Sequence, residues 1–195
     1  MYYRNGYRYN TAVKPIVSLL EVLILMAVIK PFRGVRYNPD RILNMSAVIS
    51  QPYDRIGDAL EQEYYNLSPY NITRIILGHD EDSHLPTNFR NGDGYTKAKE
   101  TYLQWLESGV LHRDEKPALY AYEQTFTVDG QTYTRLGMTA ALELAEFDEG
   151  IVLPHERTHS GPKADRLRLM EAMAVNTEQI FMLYPDPHNR INAVL

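Results

Sequence analysis

Three stretches of the chain repeat apolar residues at the period of an α-helix. They cover about residues 57–67, 95–107 and 162–175, and each predicts a helix with one buried face. Gly109 is expected to end the second helix. The core-facing residues predicted for the second helix are Tyr95, Ala98, Tyr102, Trp105 and Leu106, and those predicted for the third are Leu167, Met170 and Ala174.

Other stretches have the composition of β-strands. Residues 28–35, 72–77 and 179–184 are rich in apolar and β-branched side chains, so each predicts a strand, the second of them buried. Two alternating runs, 118–128 and 131–141, flank Asp129-Gly130, and an Asp-Gly pair in that position indicates a two-residue hairpin.

The order of these elements predicts the fold class. Strands interleave with helices and a hairpin lies in the middle, which indicates an α/β (or α+β) domain with a mixed sheet and flanking helices. We expect one domain over residues 26–186. Residues 1–25 differ in composition and are predicted to lie outside the core, residues 78–94 to form a mobile loop, and residues 187–195 to form a tail.

Composition and charge exclude some classes of protein. The 195 residues carry a formal net charge of −5, which argues against a general nucleic-acid binder. The sequence contains no cysteine, so disulfides and thiolate metal sites are excluded and a cytoplasmic location is expected. The apolar run near the N-terminus is interrupted by Glu21 and is too short to span a bilayer, so no membrane partner is expected.

Charged and polar side chains are most concentrated in residues 150–167. Gly161-Pro162 breaks the backbone and starts a helix, so Lys163 and Arg166 are expected in its first turn, beside free backbone N–H groups. Such a turn is suited to an anion, most often phosphate. The sequence therefore predicts a phosphate site there.

The same stretch matches a metalloprotease pattern. His155-Glu156-Arg157-Thr158-His159 fits H-E-x-x-H, in which two histidines on one helix bind zinc. Pro154 and Gly161-Pro162 leave room for a helix of only one or two turns, so we expect no zinc. A solvated charged loop and a polar or phosphate-handling site stay open as alternatives.

A further candidate is Asp54, in the rigid segment Pro52-Tyr53-Asp54. Its carboxylate is suited either to capping the helix that follows or to a role in a site.

These motifs resemble a known family, the domain-of-unknown-function family one thousand and fifteen, described as SpoOJ/ParA/ParB/RepB-related. The resemblance covers Met26 to about Asp186 and implies that the chain corresponds to the N-terminal half of longer members. The segments that carry it are Lys30-Pro31-Phe32-Arg33-Gly34, Pro52-Tyr53-Asp54, Asn71-Ile72, Trp105 with Gly109-Val110-Leu111, Tyr120 with Glu123-Gln124, His155-Glu156-x-Thr158, Pro162-Lys163-x-Asp165-Arg166, Asn176 and Ile180-Phe181-x-Leu183-Tyr184.

The ParB-like label implies a relation to the ParB/sulfiredoxin fold, whose members bind or hydrolyse nucleotides and include free-serine kinases. By this analogy we expect a kinase or phosphatase of a small, serine-related metabolite that uses ATP or another nucleotide with Mg²⁺. Its expected partners are a phosphorylated metabolite or nucleotide, with no nucleic acid. The alternative is a ParB-like nucleotide-binding regulatory or DNA-partition module without metabolic activity.

The enzyme hypothesis assigns a role to each candidate residue. Lys163 and Arg166 are expected to clamp phosphate oxygens, with Asp165 beside them. Glu156 or Asp54 is the expected general base or metal ligand, and His155 is the expected general acid or a phosphate ligand. Thr158 is expected to donate a hydrogen bond to the phosphate.

Overall fold

The computed structural model describes residues 27–77, 92–155 and 160–194. The chain divides into two compact units. Residues 27–30 and 142–155 belong to the smaller unit, and the other described residues belong to the larger one. In the smaller unit, the Glu143 N–H donates to the Val28 carbonyl at 2.9 Å. The Lys30 ammonium lies 2.7 Å from the Glu143 carboxylate and lowers the pKa of that carboxyl.

The described residues contain both helices and short strands, which confirms the predicted mixed α/β class. The strands are β1 (Ile29–Lys30), β2 (Val35–Tyr37), β3 (Leu111–Arg113), β4 (Tyr120–Val128), β5 (Gln131–Thr139) and β6 (Ala141–Leu142). The α-helices are α1 (Asp58–Leu67), α2 (Thr73–Ile76), α3 (Gly92–Glu107) and α4 (Ser160–Met173). Single 3₁₀ turns occur at Met45–Ala47, Tyr53–Arg55 and Phe147–Glu149.

Within the described residues the strands pair two by two rather than forming one sheet. The pairs are β1 with β6, β2 with β3, and β4 with β5, and the last two are antiparallel. The β4–β5 hairpin turns at Asp129 and Gly130, whose φ angles are 51° and 77°. Two positive φ angles at the centre of a two-residue loop are what the predicted Asp-Gly hairpin requires.

The helices carry the hydrophobic core of the larger unit. Most of the residues predicted to face inward from α3 are buried, and Gly109 follows the helix with a φ of 73°, as expected of a helix stop. The buried core cluster contains Ile42, Val48, Ile75, Tyr95, Ala98, Tyr102, Trp105, Val110, Leu111, Leu169 and Met173.

The predicted buried strand at residues 72–77 is wrong in type, because this segment contains the short helix α2. Asn71 is fully buried just before it, and its side-chain amide donates to the carbonyls of Ala47 and Ile49 at 2.9 and 3.0 Å. Its side-chain oxygen accepts from the backbone N–H and the hydroxyl of Thr73. The bond from the Thr73 N–H satisfies the first backbone donor of the helix. The predicted burial is correct, but a short apolar run does not distinguish strand from helix.

The predicted last strand at residues 179–184 is also wrong. This segment has no regular structure, and Ile180 and Leu183 are 80% and 85% exposed. A strand needs a neighbouring edge for its backbone hydrogen bonds, and none of the described strands pairs with this segment.

The inner face predicted for α4 requires a correction as well. Leu167 is 52% exposed and Met170 is also exposed, whereas Leu169 and Met173 are buried. Ala174 lies beyond the helix with a positive φ. The helix is therefore rotated from its predicted orientation, and Asp165 and Arg166 face inward beside Leu169. A hydrophobicity pattern does not predict this rotation, because it places an ion pair on the solvent side.

Candidate functional site

Two motifs that are more than a hundred residues apart in sequence meet in the larger unit. The 3₁₀ turn Tyr53–Arg55 contains Asp54, and α4 contains Arg166. The Arg166 guanidinium lies over the Tyr53 ring, with its central carbon 4.0 Å from the ring centroid. A guanidinium over an aromatic face gains electrostatic attraction and a fixed orientation. This contact defines the candidate site.

Hydrogen bonds hold the Arg166 guanidinium on three sides. Nε and Nη2 donate to Asp165 Oδ2 at 3.0 and 2.5 Å. Nη1 donates to the Ile76 carbonyl and to Glu178 Oε1, both at 3.0 Å. The Arg166 side chain is only 16% exposed, while those of Asp165 and Glu178 are 28% and 35% exposed. The guanidinium is therefore a largely buried cation that is bonded to two partly exposed carboxylates.

A tyrosine on α3 fixes the other side of Asp165. The buried Tyr95 donates its hydroxyl to Asp165 Oδ1 at 2.7 Å. Asp165 thus accepts from Tyr95 through one oxygen and from Arg166 through the other. Because α3 and α4 are both packed into the core, this carboxylate has little freedom to rotate.

The electrostatics at Tyr53 show which charges surround it. Burial raises the pKa of the Tyr53 hydroxyl, and the Arg166 cation opposes that rise. The carboxylates of Glu178, Asp54 and Asp165 raise the pKa further. Asp54 is the chain neighbour of Tyr53, so its exposed carboxylate adds to the negative charge near the Tyr53 hydroxyl.

The capping role considered for Asp54 is wrong. Helix α1 begins after Gly57, and no side chain forms a hydrogen bond that caps it. Asp54 instead lies inside the 3₁₀ turn that contains Tyr53.

Other residues that the sequence grouped with Arg166 differ from it in exposure. Lys163 is exposed, whereas Arg166 is largely buried, so the two cations of the predicted clamp lie in different environments. His155 belongs to the smaller unit and is exposed. The candidates Glu156 and Thr158 lie outside the described residues, as does His159 of the H-E-x-x-H match.

Sequence reasoning missed three members of the cluster. Tyr53 lies in the motif Pro52-Tyr53-Asp54 without a predicted role, and Tyr95 is predicted only as a core residue. Glu178 gave no signal, because it precedes a stretch that was predicted as a strand. The described residues contain no group of three or more His, Asp or Glu that is arranged to hold a metal ion.

Comparison with known proteins then identifies the family. The family model described as "Protein of unknown function (DUF1015)" matches residues 29–195. The chain belongs to this family. The match covers both halves of the Tyr53–Arg166 cluster. Neither curated proteins nor solved structures give a match. No helix in the described part of this DUF1015 chain is long and apolar enough to cross a membrane.

Proposed function

We propose that this DUF1015 protein is a phosphate-handling enzyme, a kinase or phosphatase that acts on a small metabolite together with a nucleotide and Mg²⁺. One observation carries the proposal: the Arg166 guanidinium is held in a fixed plane by Asp165 and by the Tyr53 ring. A planar guanidinium with a fixed direction is the group best suited to bind phosphate oxygens.

Phosphate binding at Arg166 requires that a phosphate replace one of the carboxylates bonded to it, and we assign this replacement to Glu178. It bonds to Nη1 from a segment without regular structure, whereas Asp165 bonds from within α4 and is also tied to Tyr95. Glu178 is therefore the carboxylate that can leave with less disruption of the core. A phosphate that takes its place on Nη1 replaces one anion by another, so the buried cation stays paired throughout.

Two further candidates of the larger unit, Lys163 and Asp54, take roles around this exchange. Lys163, exposed on the first turn of α4, attracts the phosphate as a mobile point charge. Asp54 serves as a general base or Mg²⁺ ligand. From the sequence alone we assign the role of general acid to His155, that of base or metal ligand to Glu156, and that of hydrogen-bond donor to Thr158. ATP or another nucleotide is the proposed phosphate donor, and a serine-related metabolite is the proposed acceptor class.

The experiment is a thermal-shift screen of nucleotides and phosphorylated metabolites, followed by titration of each hit. Arg166→Lys should lose part of the roughly 1.5–3 kcal/mol that a charge-assisted hydrogen bond contributes, because an ammonium provides neither the fork nor the stacking of a guanidinium. Arg168→Lys is the matched control, since Arg168 is exposed on the same helix. Equal affinities for both variants and the unchanged protein would refute the Arg166 site. Nucleotide binding without turnover of any metabolite would favour the ParB-like regulatory module.

A further inference from the structure

A second arginine–carboxylate cluster lies in the larger unit, built from the β1–β2 connection and the end of β3. Asp114 follows β3 and accepts from Arg36 Nη2 at 2.7 Å and from Arg36 Nε at 3.1 and 3.2 Å. The Nε of Arg33 donates to the backbone carbonyl of the same aspartate at 2.7 Å. One residue therefore anchors two guanidinium groups.

Tyr120 locks this arrangement from the start of β4. Its hydroxyl donates to Asp114 Oδ2 at 2.6 Å and accepts from the Gly34 N–H at 2.7 Å. The Asp114 N–H donates to the Gly34 carbonyl, and the Phe32 ring packs on Tyr120 with centroids 5.0 Å apart. Arg36 and Tyr120 together hold the pKa of the Asp114 carboxyl below its ordinary value. The carboxylate therefore stays ionised as the anchor.

The anchor leaves most guanidinium donors unused. A guanidinium has five N–H groups, and Arg33 uses only its Nε bond among the described residues. Arg36 uses Nε and Nη2, and its side chain is 58% exposed, compared with 14% for Asp114. Anchoring at Nε fixes the plane of each guanidinium, so its remaining N–H groups are already oriented for a ligand.

The local charge is positive even though the whole chain carries a net −5. Asp114 balances one of the two arginines, and the neighbours Glu115 and Lys116 balance each other. His112 lies opposite Arg36 in the β2–β3 ladder, with Nε2 3.6 Å from Asp114 Oδ1. The imidazole therefore presents its Nε2 beside the anchoring carboxylate, and its side chain is 37% exposed.

We propose that Arg33, Arg36 and His112 form a binding site for a phosphate-type oxyanion, anchored by Asp114 and Tyr120. A solvated arginine usually moves freely, and ordering its long side chain on binding costs free energy. Here both arginines are anchored to one aspartate and keep bidentate donors for oxygen atoms. The proposal is independent of the Arg166 site, since the two clusters share no residue.

The test follows the arginine Nε–H resonances of the ¹⁵N-labelled full chain during titration with inorganic phosphate at constant ionic strength. The Arg33 and Arg36 signals should shift together along one saturating curve. Arg33→Gln should lower the phosphate affinity about tenfold, at the lower end of the range for a charge-assisted hydrogen bond. Arg41→Gln, a change at an exposed arginine outside the cluster, should leave it unchanged.

Any of three results would overturn this site: shifts that do not saturate, shifts that chloride reproduces, or an equal loss of affinity in the Arg33 and Arg41 variants. Arg33→Gln retains the Asp114 bonds to Arg36 and Tyr120, and a melting curve checks that it folds. If it does not fold, Arg33→Lys replaces it and should lose part of the affinity, because a lysine has no fork. Arg166→Lys should leave these shifts intact, which separates this site from the proposed enzyme site.

Discussion

The two arginine–carboxylate clusters of this DUF1015 protein use the same pair of groups in opposite ways. At Arg166 the guanidinium is largely buried and bonds to two carboxylates, a carbonyl and an aromatic face. At Asp114 the carboxylate is the enclosed partner, and the arginines around it are exposed. In one cluster the acids enclose the cation, and in the other the cations surround the acid.

Burial decides what an arginine contributes in each of the two clusters. A largely buried guanidinium must keep partners for its N–H groups, so it stabilises the fold first and binds a ligand only by exchange. An exposed guanidinium anchored at Nε has donors left for a ligand. Arg166 of the predicted phosphate clamp falls in the first class, and the Arg33–Arg36 pair falls in the second.

The largest expected effect is loss of stability on removing the buried cation. Arg166→Ala leaves Asp165 and Glu178 without their shared partner and should lower the free energy of unfolding by roughly 2–4 kcal/mol. Urea unfolding measures it. Arg168→Ala, at an exposed position on the same helix, should stay within about 0.5 kcal/mol of the unchanged protein. Equal free energies of unfolding for the two variants would contradict the proposed difference between buried and exposed cations.

The anchor of the exposed cluster should tolerate little extra volume. A Cβ at Gly34 would lie 2.6 Å from the Tyr120 hydroxyl oxygen and 2.8 Å from its ring carbon, so Gly34→Ala must displace the ring. We expect a loss of about 1–3 kcal/mol in unfolding free energy, as for other overpacked sites. Gly137→Ala is the control, because a Cβ there has no atom within 4 Å. If both variants melt at the same temperature, the Tyr120 ring can move away from residue 34 at little cost in stability.

The aromatic contribution to the buried cluster should be smaller. Tyr53→Leu removes the ring under Arg166 and should cost about 0.5–2 kcal/mol, the range of a cation–π contact. Tyr53→Phe keeps the ring and should retain most of that stability. Chemical denaturation of both variants provides the comparison. A larger loss in the phenylalanine variant would mean that the hydroxyl matters more than the ring.

The smallest expected effect is a pH dependence at Asp114. Its folded-state pKa is depressed, chiefly by the hydrogen bond from Arg36, so its stabilising contribution is present above the unfolded value of about 4. That contribution is lost as the pH falls through the lower folded value. Between about pH 6 and pH 2.5 the unchanged protein should therefore lose more stability than Asp114→Asn.

Thermal melts across that range measure the difference. Parallel curves for the two proteins would show that Asp114 is not strongly paired in solution. At alkaline pH the sign reverses for its partner, because Asp114 raises the pKa of the Tyr120 hydroxyl. Stability from that pair should fall as the pH rises past the ordinary tyrosine value of about 10.

The sequence by itself determined the features that depend on nearby residues. Asp129-Gly130 predicted the hairpin, and Gly109 predicted the end of α3, because a positive φ is a local requirement. The periodic stripe on α3 predicted its buried face, and the α/β class followed from the order of elements. These predictions were correct because a few adjacent side chains decide the backbone conformation.

Only the tertiary structure decided which charged groups meet. Nothing near Arg166 in sequence indicates that the Ile76 carbonyl, the Tyr53 ring and Glu178 surround it. The same contacts turn α4 so that an ion pair faces inward and Leu167 outward, against its hydrophobic pattern. Whether a buried cation is stable depends on partners brought together by packing, and local sequence does not specify those distant neighbours.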